Sequence, residues 1–224
     1  WIAYVSDRDG WDHLYAVPTS GGTPVQLTKG AFEAWRPAWS PDSTRLAYDA
    51  NLADNLSSRH INVIVVGAVG AAAGTAAGSN GGSAGGIPTG GALVRRPDLW
   101  AAMVIMVPML NSMRFEFGPN GPVNIPENGS VTTEDGLRGL LISDAYHRIE
   151  DGVAYPPVLI TAGRNDSRVP AWQPAKFVAR LQAAAPEQRV LLRVERDAGH
   201  GMGSTTDQRD AELADAFAFA LAAV

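Results

Sequence analysis

The sequence has no cysteine among its 224 residues, which excludes disulfide bonds, a thiolate nucleophile and any metal site built on cysteine. This absence is compatible with cytoplasm and periplasm alike, so the compartment stays open. There is no run of basic residues and the net charge is −5, so nothing indicates a nucleic-acid partner. The composition, 46% hydrophobic and 18% charged, is that of an ordinary globular protein.

Long uninterrupted apolar runs are also missing. The longest apolar stretch, residues 61–77, is diluted by Asn62, Gly67, Gly70 and Gly74, and we expect no membrane partner from it. The same stretch resembles a dinucleotide-binding turn, but its glycines follow the spacing G-x-x-G-x-x-x-G and not G-x-G-x-x-G. The later "GGIPTGG" has no lysine after it, which excludes a P-loop. We therefore predict no bound nucleotide.

The first fifty residues form short alternating runs separated by turns, which predicts strands. Within them, "WSPD" at residues 39–42 resembles the repeat of TolB-like β-propellers. One blade would leave its edges unburied, so we interpret residues 1–55 as a propeller-blade-like segment that is a remnant or packs on something else. The alternative is a β-rich extension unrelated to propellers. The chain opens on Trp1, inside a predicted strand and not on methionine, and we expect the natural N-terminus to be missing.

From about residue 97 onward, continuous apolar runs alternate with amphipathic segments. "AAMVIMVP", "PPVLITAG" and "RVLLRVE" are typical of buried parallel strands. The segment "AWQPAKFVARLQAAA" predicts a helix with Phe177, Val178 and Leu181 on one face, and "DAELADAFAFALAAV" predicts one with Leu213, Phe217 and Leu221. Strands alternating with helices indicate an α/β fold over residues 56–224, with a mostly parallel sheet and flanking helices.

Two polar residues follow predicted strands of this region. Asp166 lies in the loop after "VLITAG", and His200 lies between glycines after "VLLRVE". Since functional groups of parallel sheets gather at the carboxyl ends of the strands, this carboxylate and imidazole are expected to meet. A preceding serine between glycines would complete the order Ser, Asp, His of α/β-hydrolases. The stretch "SNGGSAGGIPTGG" offers two candidates, Ser79 and Ser83.

The chain from about Gly81 to Ala222 resembles the catalytic domain of the prolyl oligopeptidase family of serine peptidases. The family's aspartate loop, Gly-x-x-Asp-x-x-Val, is matched by Gly163, Asp166 and Val169. Its histidine motif, Ala-Gly-His-Gly, is matched by residues 198–201. The resemblance implies an α/β-hydrolase fold, a peptide substrate, a Ser-His-Asp triad and no metal or organic cofactor.

The setting of the two serines favours Ser83 as the nucleophile. Ser83 has Gly81 two residues before it and Gly85 two residues after, whereas Ser79 has Ala77 in place of the first glycine. A side chain there would crowd the sharp turn that exposes a nucleophile. The resemblance gives the same register, because the family nucleophile lies about 14 residues before a proline that Pro97 matches. We keep Ser79 as the alternative.

Two further roles follow. The N–H of Ala84, the residue after the nucleophile, would donate to the oxyanion, and the resemblance implies that Arg168 holds the substrate backbone. In this family a second oxyanion donor comes from a segment well upstream, together with the first strands of the hydrolase sheet. Only about thirty residues separate the propeller-like stretch from the nucleophile turn, so we expect these strands and this donor to be lacking.

Specificity stays open. The tryptophan on which many prolyl oligopeptidases stack the substrate proline would fall near Gly139, where there is none. Phe115, Phe117 and Tyr146 could line a pocket but are more typical of a core. Three hypotheses follow: a serine peptidase using Ser83, His200 and Asp166, an esterase or acyl hydrolase with the same triad, or an inactive, shortened hydrolase fold.

Overall fold

A computed structural model shows how these segments are arranged. Between residues 52 and 81 it describes the backbone alone, and elsewhere in the described ranges it describes side chains as well. The described residues are 1–40, 42–52, 55–66, 72–75, 79–200 and 205–223.

The described residues form eleven strands and six α-helices, joined by short 3₁₀ turns. The strands are β1 (Ile2–Ser6), β2 (His13–Val17), β3 (Val25–Gln26), β4 (Ala34–Trp39), β5 (Arg45–Leu52), β6 (Asn55–Val66), β7 (Ala72–Thr75), β8 (Ser79–Gly82), β9 (Met103–Met106), β10 (Val158–Gly163) and β11 (Val190–Glu195). The helices are α1 (Gly86–Arg95), α2 (Ser112–Phe115), α3 (Ile125–Asn128), α4 (Glu134–Ser143), α5 (Trp172–Ala184) and α6 (Thr206–Ala223).

The main sheet has the strand order β11-β10-β9-β8-β6-β5-β4, with β7 paired to β6. The pairs among β8, β9, β10 and β11 are parallel, and those among β4, β5, β6, β7 and β8 are antiparallel. The α/β class is confirmed. The parallel half matches the predicted mostly parallel sheet, and the antiparallel half comes from residues upstream of Ser83.

The N-terminal segment is divided between two sheets. Strands β1, β2 and β3 form an antiparallel sheet of their own, whereas β4 and β5 pair into the main sheet through β6. The sheet therefore continues across the predicted boundary between residues 55 and 56. The propeller-blade origin of this segment and the boundary itself stay predictions.

Ser40 and Asp42 of the "WSPD" segment lie between β4 and β5, while Pro41 is outside the described residues. The Ser40 hydroxyl donates to the Asp42 carboxylate, which also accepts from the Thr44 N–H at 3.1 Å and the Thr44 hydroxyl at 2.8 Å. These hydrogen bonds, the one from Ser40 first, lower the pKa of Asp42 to about 2. The Arg45 N–H donates to Ser40 Oγ and closes the turn. The motif thus has a local structural explanation.

Helices cover both faces of the parallel half of the sheet. As predicted, α5 buries Phe177, Val178 and Leu181 in the main core. On the other face, α6 packs with Ala216, Phe219 and Ala220 against Val104 and Leu159 of the sheet. The predicted face of α6 is confirmed at Leu221, which is buried in this cluster, and in part at Phe217, which packs against it, whereas Leu213 is only partly buried.

An apolar cavity lies between α6 and the residues that join β4 to β5. Its volume is about 830 Å³, and Trp39, Leu213, Phe217 and Leu221 contribute apolar walls. No residue that lines it belongs to the loops after β8, β10 or β11. Within the described ranges, no helix is both long enough and apolar enough to cross a membrane.

The start of α6 is stabilised by a reciprocal cap. The Thr205 hydroxyl accepts from the Gln208 N–H at 3.2 Å, and the Gln208 side chain accepts from the Thr205 N–H at 2.8 Å, as in a capping box. We expect Thr205→Ala to lower the free energy of unfolding by about 1 kcal/mol, because it leaves a helix N–H unpaired. Denaturant unfolding measures this, with Thr206→Ala as the matched control. Equal losses in both variants would contradict the cap.

Candidate active site

Ser83 lies at the turn between β8 and α1. Its φ of +55° is in the left-handed region, which non-glycine residues seldom adopt. A short 3₁₀ turn, Ser83–Gly85, leads directly into α1. Such strain is typical of functional sites, and here it raises the serine at the carboxyl end of a parallel strand, as in the nucleophile turn of α/β-hydrolases.

Close packing with the loop after β9 holds this turn. The Met109 N–H donates to the Ser83 carbonyl at 2.9 Å. A Cβ on Gly86 would come within 2.5 Å of the Pro108 side chain and 2.7 Å of the Met109 nitrogen, whereas one on Gly85 would meet nothing within 4 Å. The glycine that packing requires is therefore Gly86, although the sequence pattern pointed to Gly85.

Asp166 and His200 lie in loops that follow the neighbouring strands β10 and β11. The two loops are tied together by hydrogen bonds from the Asn165 N–H to the Ala198 carbonyl at 3.2 Å and from the Asn165 side chain to the Arg196 carbonyl. A Cβ on Gly163 would overlap the Gly199 carbonyl oxygen, so the loops need glycine there to approach.

The three predicted residues form one hydrogen-bonded chain. His200 Nδ1 lies 2.6 Å from Asp166 Oδ2, and His200 Nε2 lies 2.8 Å from Ser83 Oγ. The side chains of His200 and Asp166 are 8% and 1% exposed, so the hydrogen bond between them is shielded from water, whereas Ser83 is half-buried. They join residues 34 and 117 positions apart in the sequence.

The partners define the tautomer of the imidazole. Asp166 Oδ1 already accepts from the N–H groups of Arg168 and Val169, both at 2.8 Å, which leaves Oδ2 for His200. Because an ionised carboxylate only accepts, His200 Nδ1 carries the proton and its Nε2 lone pair faces the Ser83 hydroxyl. This arrangement can take the proton from a serine as the hydroxyl attacks a carbonyl.

The other predicted site residues lie around this chain. Ala84 is exposed beside Ser83, in the turn that leads to α1. The Arg168 side chain is exposed, two residues beyond Asp166. Ser79 is the first residue of β8 and its backbone pairs with His60, so it lies in the strand that leads to the turn.

The sequence reading missed the loop after β9. Val107 has a φ of +43°, which is an outlier for a β-branched residue, and its N–H donates to the Thr161 carbonyl at 3.1 Å. This conformation turns the chain so that Pro108 and Met109 lie against the Ser83 turn. No sequence signal marked it, since glycine is the residue that usually indicates a positive φ.

A buried polar network anchors the far end of this loop. The carboxylate of Asp144, which is fully buried, accepts from the Asn111 side chain at 2.6 Å and from the Met113 N–H at 2.9 Å. Asn111 in turn accepts from Lys176 at 2.9 Å and donates its N–H to Gln173 at 3.0 Å. Helix α5 is thereby joined to the loop that packs against the Ser83 turn.

The aromatic residues considered for a pocket are distributed differently. Phe115 is buried in a small core and Tyr146 packs partly against the main core, whereas Phe117 is exposed. A Cβ on Gly139 would meet open space. In the part of the chain that the structure describes, no three His, Asp or Glu side chains form a metal site. Gly67 and Gly70 of the nucleotide-like stretch lie outside the described residues.

Comparison with known proteins decides the family. A family model described as the prolyl oligopeptidase family matches residues 67–224, more than two thirds of the chain. The chain belongs to the prolyl oligopeptidase family. The resemblance of its motifs to that family is therefore confirmed, and the hydrogen-bonded chain lies entirely within the matched residues.

Curated relatives of the prolyl oligopeptidase family are similar over the same part. A prolyl endopeptidase of Elizabethkingia miricola is 34% identical over 136 residues, which cover 59% of this chain and 19% of the relative. Prolyl oligopeptidase A of Amanita bisporigera is 31% identical over 139 residues, 58% of this chain and 18% of the relative. The chain thus spans about a fifth of the length of the curated relatives it matches.

Solved structures show the same fold. Prolyl oligopeptidase B from Galerina marginata, bound to a 35mer hydrolysis and macrocyclization substrate, matches with a TM-score of 0.61 and 27% identity over 65% of this chain and 21% of its own. Oligopeptidase B from Leishmania major matches 95% of this chain and 41% of its own with a TM-score of 0.60. At 17% identity, this second likeness shows the fold alone.

Proposed function

We propose that this chain is a serine hydrolase of the prolyl oligopeptidase kind, which cleaves peptide bonds through an acyl-enzyme on Ser83. The observation that carries the proposal is the pair of hydrogen bonds that joins Ser83, His200 and the buried Asp166. Membership in the prolyl oligopeptidase family supports the same chemistry.

In acylation, Ser83 Oγ attacks the carbonyl carbon of the substrate while His200 Nε2 takes the hydroxyl proton. The imidazole is then positively charged, and Asp166 stabilises it through Nδ1. When the tetrahedral intermediate collapses, the C–N bond breaks and His200 returns the proton to the leaving amine. In deacylation, water takes the place of the serine hydroxyl, and the same imidazole first accepts and then donates the proton.

The oxyanion would be stabilised by a hydrogen bond from the Ala84 N–H. One donor of this kind stabilises the transition state by roughly 3 kcal/mol. Arg168, exposed beside the buried Asp166, is the candidate for holding the substrate backbone. The proposal specifies no residue after which the bond is cleaved, because there is no tryptophan near Gly139, where the proline-stacking tryptophan of many family members would fall.

The first test is labelling with a fluorophosphonate, which reacts with activated serines. We expect the unmodified chain and Ser79→Ala to label and Ser83→Ala not to label, because only Ser83 has the histidine as its base. Mass spectrometry of the labelled peptide identifies the modified residue. If labelling is lost only in Ser79→Ala, the nucleophile is misassigned.

A chain that folds cooperatively and yet fails to label would favour the inactive hydrolase fold. For a chain that labels, paired peptide and ester substrates with the same acyl group separate the remaining hypotheses. The triad does not by itself select the leaving group, so turnover of the ester alone would favour an esterase.

A further inference from the structure

The parallel half of the main sheet ends in an edge strand that has the features of a pairing surface. β11 is the terminal strand of the sheet in the described part of the chain. It is paired with β10 along one side, and no described strand pairs with its other side. Leu191 and Val194 of this strand are 46% and 45% exposed. An edge strand with exposed apolar side chains is a template for pairing with another strand.

The hydrogen bonds to β10 establish which residues of β11 face outward. The Arg189 carbonyl accepts from the Val158 N–H, and the Glu195 carbonyl accepts from the Arg164 N–H, each at 2.9 Å. Residues of a parallel strand alternate between its two neighbours, so the odd-numbered residues bond to β10. The backbone N–H and C=O groups of Val190, Leu192 and Val194 therefore point away from the sheet.

We propose that β11 pairs with β11 of a second copy of this chain, antiparallel and about a twofold axis at Leu192. A twofold axis normal to the sheet keeps each face on its own side and passes through one residue of the strand. An axis at Leu191 would place Arg189 opposite Arg193 of the second copy, and an axis at Arg193 would place two arginines opposite each other. An axis at Leu192 uses all three outward-facing residues: Leu192 pairs with its own copy, and Val190 pairs with Val194 of the second copy. An axis at Val190 or Val194 would leave most of the strand unpaired.

The charges along the strand fit this register. Arg189 lies opposite Glu195 of the second copy, twice by symmetry, and Leu191 lies opposite Arg193. No like charges face each other, and opposite charges directly across an antiparallel pair stabilise it. The two half-exposed apolar side chains, Leu191 and Val194, would gain a neighbour.

One existing contact at the edge is compatible with the pairing. The Gln182 side chain of α5 donates to the Val190 carbonyl at 2.9 Å, which confirms that this carbonyl faces outward. A carbonyl oxygen has two lone pairs and can accept a second hydrogen bond from the other copy. Gln182 would therefore remain bound when the second strand is added.

Because the chain has no cysteine, single-cysteine variants test the register directly. Residues in a hydrogen-bonded antiparallel pair have Cα atoms about 5.5 Å apart, within the range of a disulfide. We expect Leu192→Cys to form a disulfide-linked dimer under mild oxidation. Leu191→Cys is the matched control, because the two copies of residue 191 would be diagonal neighbours about 7–8 Å apart.

Charge reversal gives a second test that does not depend on oxidation. Glu195→Lys would face Arg189 of the other copy, and we expect it to weaken the dimer roughly tenfold in sedimentation equilibrium. The double variant Arg189→Glu/Glu195→Lys should restore the affinity, which a general loss of stability would not do. Circular dichroism verifies that each variant is folded.

The proposal does not depend on the triad. Three results would each overturn it. The first is the mass of a single chain in sedimentation equilibrium at every protein concentration. The others are a disulfide that forms as fast in Leu191→Cys as in Leu192→Cys, and a double charge variant that dimerises as weakly as Glu195→Lys. Larger open assemblies would also overturn it, because a twofold pairing closes on itself.

Discussion

Replacing Asp166 with asparagine should lower the rate of fluorophosphonate labelling of Ser83 by about 10⁴-fold, the loss expected when a triad aspartate becomes an amide. Asp166 Oδ1 accepts from the N–H groups of Arg168 and Val169, so the asparagine carbonyl would keep that position and its NH₂ would face His200. The imidazole would then accept at Nδ1 and carry its proton on Nε2. In this tautomer His200 cannot take the proton of the Ser83 hydroxyl.

The control for this variant lies in the same loop. Ser167 is exposed next to Asp166, and Ser167→Ala should label at the rate of the unmodified chain. Because asparagine has the shape of aspartate, thermal unfolding of Asp166→Asn should remain cooperative. A slow labelling rate would then result from the changed position of the His200 proton and not from lost structure. Labelling of Asp166→Asn within tenfold of the unmodified rate would mean that His200 does not act as the base.

The features that the sequence predicted well are those carried by continuous local patterns. Strands β9, β10 and β11 are apolar runs bounded by polar loops, and α5 shows its buried face at helical spacing. Asp166 and His200 follow such strands directly. Their meeting at the carboxyl ends of the strands could therefore be expected from the sequence.

The features it missed depend on partners far away in the chain. The sequence of β5 predicts a strand, but nothing local indicates that β6 joins this strand to β8, which leads to Ser83. The positive φ of Val107 is imposed by its surroundings and not by its residue type. Likewise, Asn111 and Asp144 are 33 residues apart, and neither alone distinguishes a buried hydrogen bond from a surface turn.

The choice between neighbouring glycines at the nucleophile turn leads to the second large effect. We expect Gly86→Ala to lower the free energy of unfolding by about 2 kcal/mol, because its Cβ would lie within 2.8 Å of Pro108 and Met109 atoms that cannot easily move. Relief of this overlap would push the loop after β9 away from the Ser83 turn. A displacement of about 1 Å there should slow labelling by roughly 100-fold.

Gly85→Ala is the matched comparison, since the same methyl group is added one residue earlier. Gly85 has φ −61° and ψ −14°, which alanine adopts without strain, and its Cβ would meet nothing within 4 Å. Alanine there restricts the unfolded chain and should leave stability unchanged or raise it by about 0.5 kcal/mol. Denaturant unfolding and labelling should therefore show a loss of stability and a slower rate for Gly86→Ala and neither for Gly85→Ala. If Gly85→Ala is the more damaging substitution, the turn is held by its own backbone conformation, and packing against the loop after β9 is not what positions Ser83.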